Sequence, residues 1–349
     1  MNLIFMEGFD TIGDYDDFIE YSAYPSTTFS WSTVVSTTTN ARNSGYGMAS
    51  PRCLMGGSTG GVRNVSIGTA LIGSGVNAMH VGGAWRFSSS GKSTNSLLRI
   101  QLGNKYTLLW FQAAGDEYKI GVGVASVTYQ TANFLAQNVW NHLETTVAPE
   151  GSDWRVKVYL NDLADPIVDV VTTPTSATGR TVEWSSWGDL MLDDVYVATA
   201  TDGILKTPRY GPCFVITQPP FGSNAGASPF ADYPTNGLGI ANINETSGVH
   251  GDTTYRKAAS TGLSDEWDVG VAGLPYGLIH AVQLMTYGAI DSGAGPIVPF
   301  ARRPGQSTKD GAAITLGWYA GYHDLFETNE SAQPWTSEDV KTLKGGYRN

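Results

Sequence analysis

Along residues 153–160 the side chains alternate. Trp154, Val156, Val158 and Leu160 occupy every second position, with Asp153, Arg155, Lys157 and Tyr159 between them. A period of two is the signature of a strand with one buried face. Similar runs predict strands over 78–87, 97–102, 106–112, 118–124, 139–147 and 190–198. So many short strands separated by turn residues imply a sandwich or a barrel. Within the series, Leu109-Trp110-Phe111 is apolar at consecutive positions, which predicts a strand covered on both sides. Gly121 and Gly123 mark a place of close backbone approach in the strand that follows.

The pattern stops between about 206 and 235, where Pro208, Pro212, Pro219, Pro220, Pro229 and Pro234 gather. This predicts a junction between two domains, 1–207 and 208–349. Strands are expected in the second at 213–217, 253–258, 278–287, 297–302 and 314–319, again as a small β-sandwich. Near the C-terminus, Thr336 stands three residues before Asp339 as in a capping box, so a short helix should follow, ended by Gly345-Gly346. The expected fold class is therefore all-β, two β-sandwich domains with a short C-terminal helix.

Composition narrows the function. With 41% hydrophobic and 15% charged residues the chain is neither disordered nor fibrous, and 42 glycines suit strands joined by tight turns. A net charge of −11 repels phosphate backbones, so nucleic acid is not an expected partner. No apolar run approaches the ~20 residues of a membrane helix, so no membrane insertion is expected. Leu3-Ile4-Phe5-Met6 is too short for a signal peptide and runs into Glu7, so synthesis in a cytoplasm is expected, with the protein either kept there or leaving by cell lysis. Cys53 and Cys213 are far apart and form no CxxC pair, and are read as buried thiols.

Catalytic motifs are incomplete. Gly56-Gly57-Ser58-Thr59-Gly60 has the spacing of a nucleophile elbow but sits in a Gly-rich polar loop without the flanking strand and helix. Gly91-Lys92-Ser93 lacks the earlier glycine of a phosphate-binding loop, where Arg86 stands. Glu266-Trp267-Asp268-Val269-Gly270-Val271 matches the start of a retaining-glucanase motif, Glu-x-Asp-x-x-Glu, but Val271 replaces its final carboxylate. No enzyme is expected. The five histidines, including His80 and His142, have no metal-ligand spacing.

Two kinds of binding residue remain. Asp193 and Asp194 interrupt an apolar strand, where a carboxylate must be paired, hydrogen-bonded, metal-bound or placed at an edge. They are the candidate metal ligands, and Ca²⁺ is the ion such oxygens suit, although no complete calcium loop is present there or at Asp10, Asp14, Asp16 and Asp17. A flat aromatic ring stacks on the C–H face of a pyranose while amides and carboxylates bond its hydroxyls. Trp31, Trp184, Trp187 and Trp267, near Ser, Thr or acidic residues, are the candidate carbohydrate-binding residues.

Four segments occur in an order that resembles the concanavalin A-like, laminin-G-like jelly rolls of tailed-phage structural proteins. They are Glu7-Gly8-Phe9-Asp10, Val139-Trp140-Asn141-His142-Leu143-Glu144, Trp154-Arg155-Val156-Lys157-Val158-Tyr159-Leu160-Asn161 and Leu192-Asp193-Asp194-Val195-Tyr196-Val197. In the second half, Gly251-Asp252-Thr253-Thr254-Tyr255, the 278–287 strand, Ala301-Arg302-Arg303 and Pro334-Trp335-Thr336 resemble the C-terminal parts of such proteins. The resemblance implies a concanavalin A-like first domain and a virion component, from the tail or the capsid surface, whose partners are other virion proteins and copies of itself. It brings no catalytic residues. The alternative reading is an adhesin for host-surface glycan, and a third is a glycan depolymerase.

Overall fold

The computed structural model describes residues 2–8, 27–30, 53–55, 62–68, 72–86, 95–114, 117–124, 127–135, 138–173, 179–187, 190–201, 209–216, 218, 220–221, 230–233, 255–271, 274, 277–288, 295–315 and 320–349. They fall into two compact units, with the change between Val215 and Ile216. Residues 209–215, on the second-domain side of the expected junction, pack within the first unit.

The first unit is a sandwich of two antiparallel sheets. Sheet A runs in the order β1 (Asn2–Glu7), β14 (Met191–Ala200), β5 (Ala78–Arg86), β10 (Trp140–Glu150), β11 (Asp153–Leu160), β12 (Val168–Thr172), with the short β3 (Leu54–Met55) also on β14. Sheet B runs β2 (Thr27–Ser30), β4 (Val62–Ile67), β13 (Arg180–Trp187), β6 (Asn95–Leu102), β7 (Lys105–Ala114), β8 (Glu117–Val124), β9 (Val127–Leu135). The chain crosses repeatedly between the sheets, as in a jelly roll. Only the stretches β6 to β9 and β10 to β12 are simple meanders.

Strand β11 follows its sequence: Trp154, Val156, Val158 and Leu160 are buried, while their neighbours are half-buried. Facing them from sheet B are Val65, Ile67, Leu98, Ile100, Leu109, Ile120 and Val182, all fully buried. Two indoles join the layers reciprocally. Trp184 of sheet B donates from Nε1 to the Gly82 carbonyl of sheet A at 3.0 Å, and Trp85 of sheet A donates to the Ser185 carbonyl of sheet B at 3.4 Å. Each anchors a large apolar ring and satisfies its one polar atom in the same contact.

Central strands β5 and β14 are buried along nearly their whole length, which conceals the period of two. The cause is a second cover on the outer face of sheet A, where the Tyr196 ring and residues 209–215 lie. The expected strand at 213–217 is absent over its described residues, 213–216, which form an irregular segment.

The second unit is also β-structure. Its largest sheet runs β17 (Ser264–Asp268), β22 (Lys344–Arg348), β19 (Val298–Arg302), β20 (Thr308–Asp310), and two further pairs join β15 (Phe230–Tyr233) to β16 (Tyr255–Ala258) and β18 (Val282–Gly288) to β21 (Ala320–Phe326). Val271, Ala301, Phe326, Trp335, Val340 and Leu343 form its core. Helix α1 (Ser337–Lys341) begins at Thr336 with both bonds of the capping box. Gly345-Gly346 do not end this helix but lie inside β22. A Cβ on Gly346 would stand 2.2 Å from the Asp265 carbonyl oxygen and 2.6 Å from the Phe300 ring, so the glycine is needed for strand packing.

Candidate functional site

On sheet B, β7 buries Thr107, Leu109 and Phe111 and turns Leu108 and Trp110 outward, each half-buried. The expectation of a strand covered on both sides fails here, because the outer cover of β8 is Trp110 itself. Trp110 pairs across strands with Ser96 on one side and Gly121 on the other. A Cβ on Gly121 would lie 2.2 Å from Trp110 Cε2 and Nε1, and one on Gly123 would lie 2.9 Å from Cζ3. The indole therefore lies across β8 on a floor of two glycines, and no other residue would let it approach so closely.

Apart from Leu108, the described residues on the rest of this face are mostly polar. One row crosses five strands as Ser66, Glu183, Arg99, Leu108 and Gly123. Arg99 Nη2 donates to Glu183 Oε2 at 2.8 Å, with the two side chains 42% and 20% exposed. Gln101, Thr181 and Lys119 are half-buried on the same face. Trp110 stands two residues along β7 from this row, roughly 7 Å at the rise of an extended strand. The arrangement combines an apolar plane with a charged pair whose row lies two residues along the strand. Those are the two components that orient a polyhydroxylated ring.

The candidates named from sequence fall elsewhere. Trp184 is fully buried and bonded to Gly82, so it holds the sheets together and has no face for a sugar. Trp267 is 5% exposed and packs on Tyr347, ring centroids 5.8 Å apart, so it too is a core residue. Trp187 ends β13 in backbone terms, but its side chain, and the whole of Trp31, lie outside the described residues. So do the motifs at 56–60 and 91–93 and the four aspartates of 10–17. Glu266 accepts from both Nε and Nη2 of Arg302, and Asp268 meets Lys344 at 3.0 Å. Carboxylates tied to cations in this way are poorly suited to act as nucleophile and acid.

Asp193 and Asp194 are fully buried at a bulge of β14, where Asp194 adopts φ +51°. Asp193 Oδ1 accepts the Asp194 N–H at 2.9 Å, and Asp194 Oδ1 accepts the Val215 N–H at 2.7 Å. The carboxylates thus shape the bulge and hold the chain that follows. Among the described residues no group of three His, Cys, Asp or Glu side chains is placed to hold a metal ion, so calcium ligation by this pair has no support there.

A second polar cluster went unrecognised in the sequence. Glu144, fully buried on the outer face of sheet A, has His80 Nδ1 at 2.9 Å from Oε1, and Oε2 accepts from Tyr196 OH at 2.9 Å and Gly211 N–H at 2.7 Å. Tyr196 reaches it by lying over Gly82, where a Cβ would come within 2.2 Å of the ring. Burial and the adjacent carboxylate push the Tyr196 hydroxyl well above its usual range, so it stays protonated and donates. His142 stacks on the same ring, centroids 6.0 Å apart.

No family model matches the chain, and no curated protein does. Among solved structures it is similar to a cellulose-induced protein, Cip1, at 16% identity over 56% of this chain and 97% of that one, with a TM-score of 0.37. It is also similar to the carbohydrate recognition domain of Emp46p in metal-free form, at 9% over 57% and 100%, TM-score 0.34. A carbohydrate esterase from Shiga toxin-encoding bacteriophage phi24B gives 10% over 51% and 94%, also at 0.34. At such scores these likenesses assign no function. No helix among the described residues is long and apolar enough to cross a membrane.

Proposed function

We propose that this protein is a non-enzymatic virion component that binds host-surface carbohydrate on the outer face of sheet B. The observation that carries the reading is the half-buried Trp110 indole seated on Gly121 and Gly123 beside the Arg99–Glu183 pair. The glycine floor fixes the ring in advance, so little side-chain freedom is lost when a ligand stacks on it. Virion membership rests on the ordered sequence resemblance to phage structural proteins, as do the partners it implies, other virion proteins and further copies of this chain. An array of bacterial-surface oligosaccharides probed with the whole protein tests the binding. Retention of a pyranose-containing ligand that Trp110→Ala loses supports the proposal, and silence across the array, with calcium supplied, contradicts it.

A purely architectural role is the second reading. It is favoured by Leu278, 80% exposed, and Phe221, 42% exposed, in the second unit, which are suited to contacts with other virion proteins. Antibody-fragment labelling of purified particles, viewed by electron microscopy, tests virion membership under either reading. Unlabelled particles would count against both.

A further inference from the structure

We propose, on the reading that Trp110 stacks on a sugar, that this sugar belongs to an acidic glycan whose carboxylates are held by Arg99 and Lys119. The strand register places the two cations on opposite sides of the ring. Trp110 pairs with Ser96 on β6 and with Gly121 on β8, whereas Arg99 pairs with Leu108 and Lys119 with Gln112. Arg99 therefore stands one strand away and two residues along β7 in one direction, and Lys119 one strand away and two residues along in the other. With about 4.8 Å between strands and about 3.4 Å per residue, each backbone position lies about 8 Å from that of Trp110 along a diagonal, and the two are about 17 Å apart. A glycan following this diagonal meets a positive charge, the indole plane and a second positive charge in turn.

The guanidinium is held without being saturated. Among the described residues, the Arg99 side chain makes a single hydrogen bond, from Nη2 to Glu183 Oε2 at 2.8 Å, and is 42% exposed. Its Nε has no hydrogen-bond partner there. By contrast, Arg155, Arg302 and Arg303 each grip a carboxylate through two of their nitrogens. A guanidinium carries its donors in a planar fork that matches a carboxylate, and most of those of Arg99 remain uncommitted. Charge favours the same ligand class. The described charged side chains of this face are Arg99, Lys119 and Glu183, two cations against one carboxylate, on a chain of net charge −11. A neutral sugar gains nothing from this local excess, whereas a carboxylate gains charge-assisted hydrogen bonds. Repulsion from negative charges elsewhere on the chain is screened beyond about 8 Å at physiological salt.

The test is a panel of uronate- and sialate-containing oligosaccharides, each beside its methyl ester, which keeps the ring faces and removes the charge. Titrated into the whole protein, an acidic member should bind at least about tenfold more tightly than its ester, the effect expected of one charge-assisted hydrogen bond. Added salt should weaken binding of the acid but not of the ester. Arg99→Gln and Lys119→Gln, in protein whose thermal melt is retained, should each erase most of that preference and leave ester binding unchanged. Esters or neutral glycans bound as tightly as the acids, and lost in Trp110→Ala, would overturn the acidic assignment while leaving the sugar platform standing. A preference for acids that survives both substitutions would overturn it too. Failure to bind any member, acidic or neutral, would overturn the platform as well.

Discussion

Replacing Gly121 with alanine inserts a methyl group 2.2 Å from the Trp110 ring. To recover an ordinary contact of about 3.5 Å the indole must retreat by roughly 1.3 Å. It can do so only by leaving its rotamer well, at about 0.5–1.5 kcal/mol, and by giving up dispersion contacts with the β8 backbone. Against this, alanine in a strand interior gains about 0.5–1 kcal/mol over glycine through a less flexible unfolded chain. In the wild-type background the clash should win, with a net loss of about 1 kcal/mol. In a Trp110→Ala background no ring remains to be displaced, so the same Gly121→Ala change should become neutral or stabilising by about 0.5–1 kcal/mol. The sign reversal corresponds to a coupling energy of about 1.5–2 kcal/mol, within the range for residues in direct contact. Equilibrium urea unfolding of the four proteins, followed by circular dichroism, measures it as shifts in midpoint at constant slope. Equal destabilisation by Gly121→Ala in both backgrounds would refute the glycine-floor argument.

Removing the Glu144 carboxylate with Glu144→Ala leaves His80 Nδ1, Tyr196 OH and the Gly211 N–H without their acceptor, and urea unfolding should show a loss of about 3–5 kcal/mol. In the second unit, hydrogen bonding from Arg303 holds the Glu330 carboxyl below its ordinary 4.5. Burial opposes ionisation of Asp339, but the Thr336 N–H and Arg303 outweigh it and hold that carboxyl below 3.8. Because the folded values are depressed, this stability is present above the unfolded values and lost as pH falls through the folded ones. Thermal melts from pH 6 down to pH 2 should fall below about pH 4.5, less steeply in Arg303→Ala. Gly346→Ala places a methyl against the backbone oxygen of Asp265, which cannot swing away, and the melt should show a loss of more than about 2 kcal/mol.

The legible parts of this fold are those where one face of a strand meets water. Strand β11 is the clearest, and the capping box at Thr336 is as local as its two hydrogen bonds. Strands β5 and β14 were placed by their sequence, but the burial of their second face was not, because no local pattern encodes a cover supplied by residues 209–215. The requirement that Asp193 and Asp194 be satisfied could be read directly. Their partners could not, since one acceptor bonds its own strand and the other bonds a backbone 21 residues on. The Trp110 platform was half visible. Gly121 and Gly123 announced a close approach, but an indole instead of a backbone occupies it. Pairing Ala114 with Glu117 sets the register that brings Trp110 opposite Gly121. Trp184 and Trp267 misled because polar neighbours in sequence say nothing about burial: their strands turn them inward.

The most direct test of the account is isothermal titration of the whole protein and Trp110→Ala with an oligosaccharide retained on the array. A pyranose covering about 100 Å² of the indole, at about 25 cal/mol per Å², contributes about 2.5 kcal/mol. Trp110→Ala should therefore weaken binding about 60-fold, while Trp184→Phe, which alters only the core, should leave the affinity unchanged in protein that remains folded. Equal affinity of the wild-type and Trp110→Ala proteins would contradict the account.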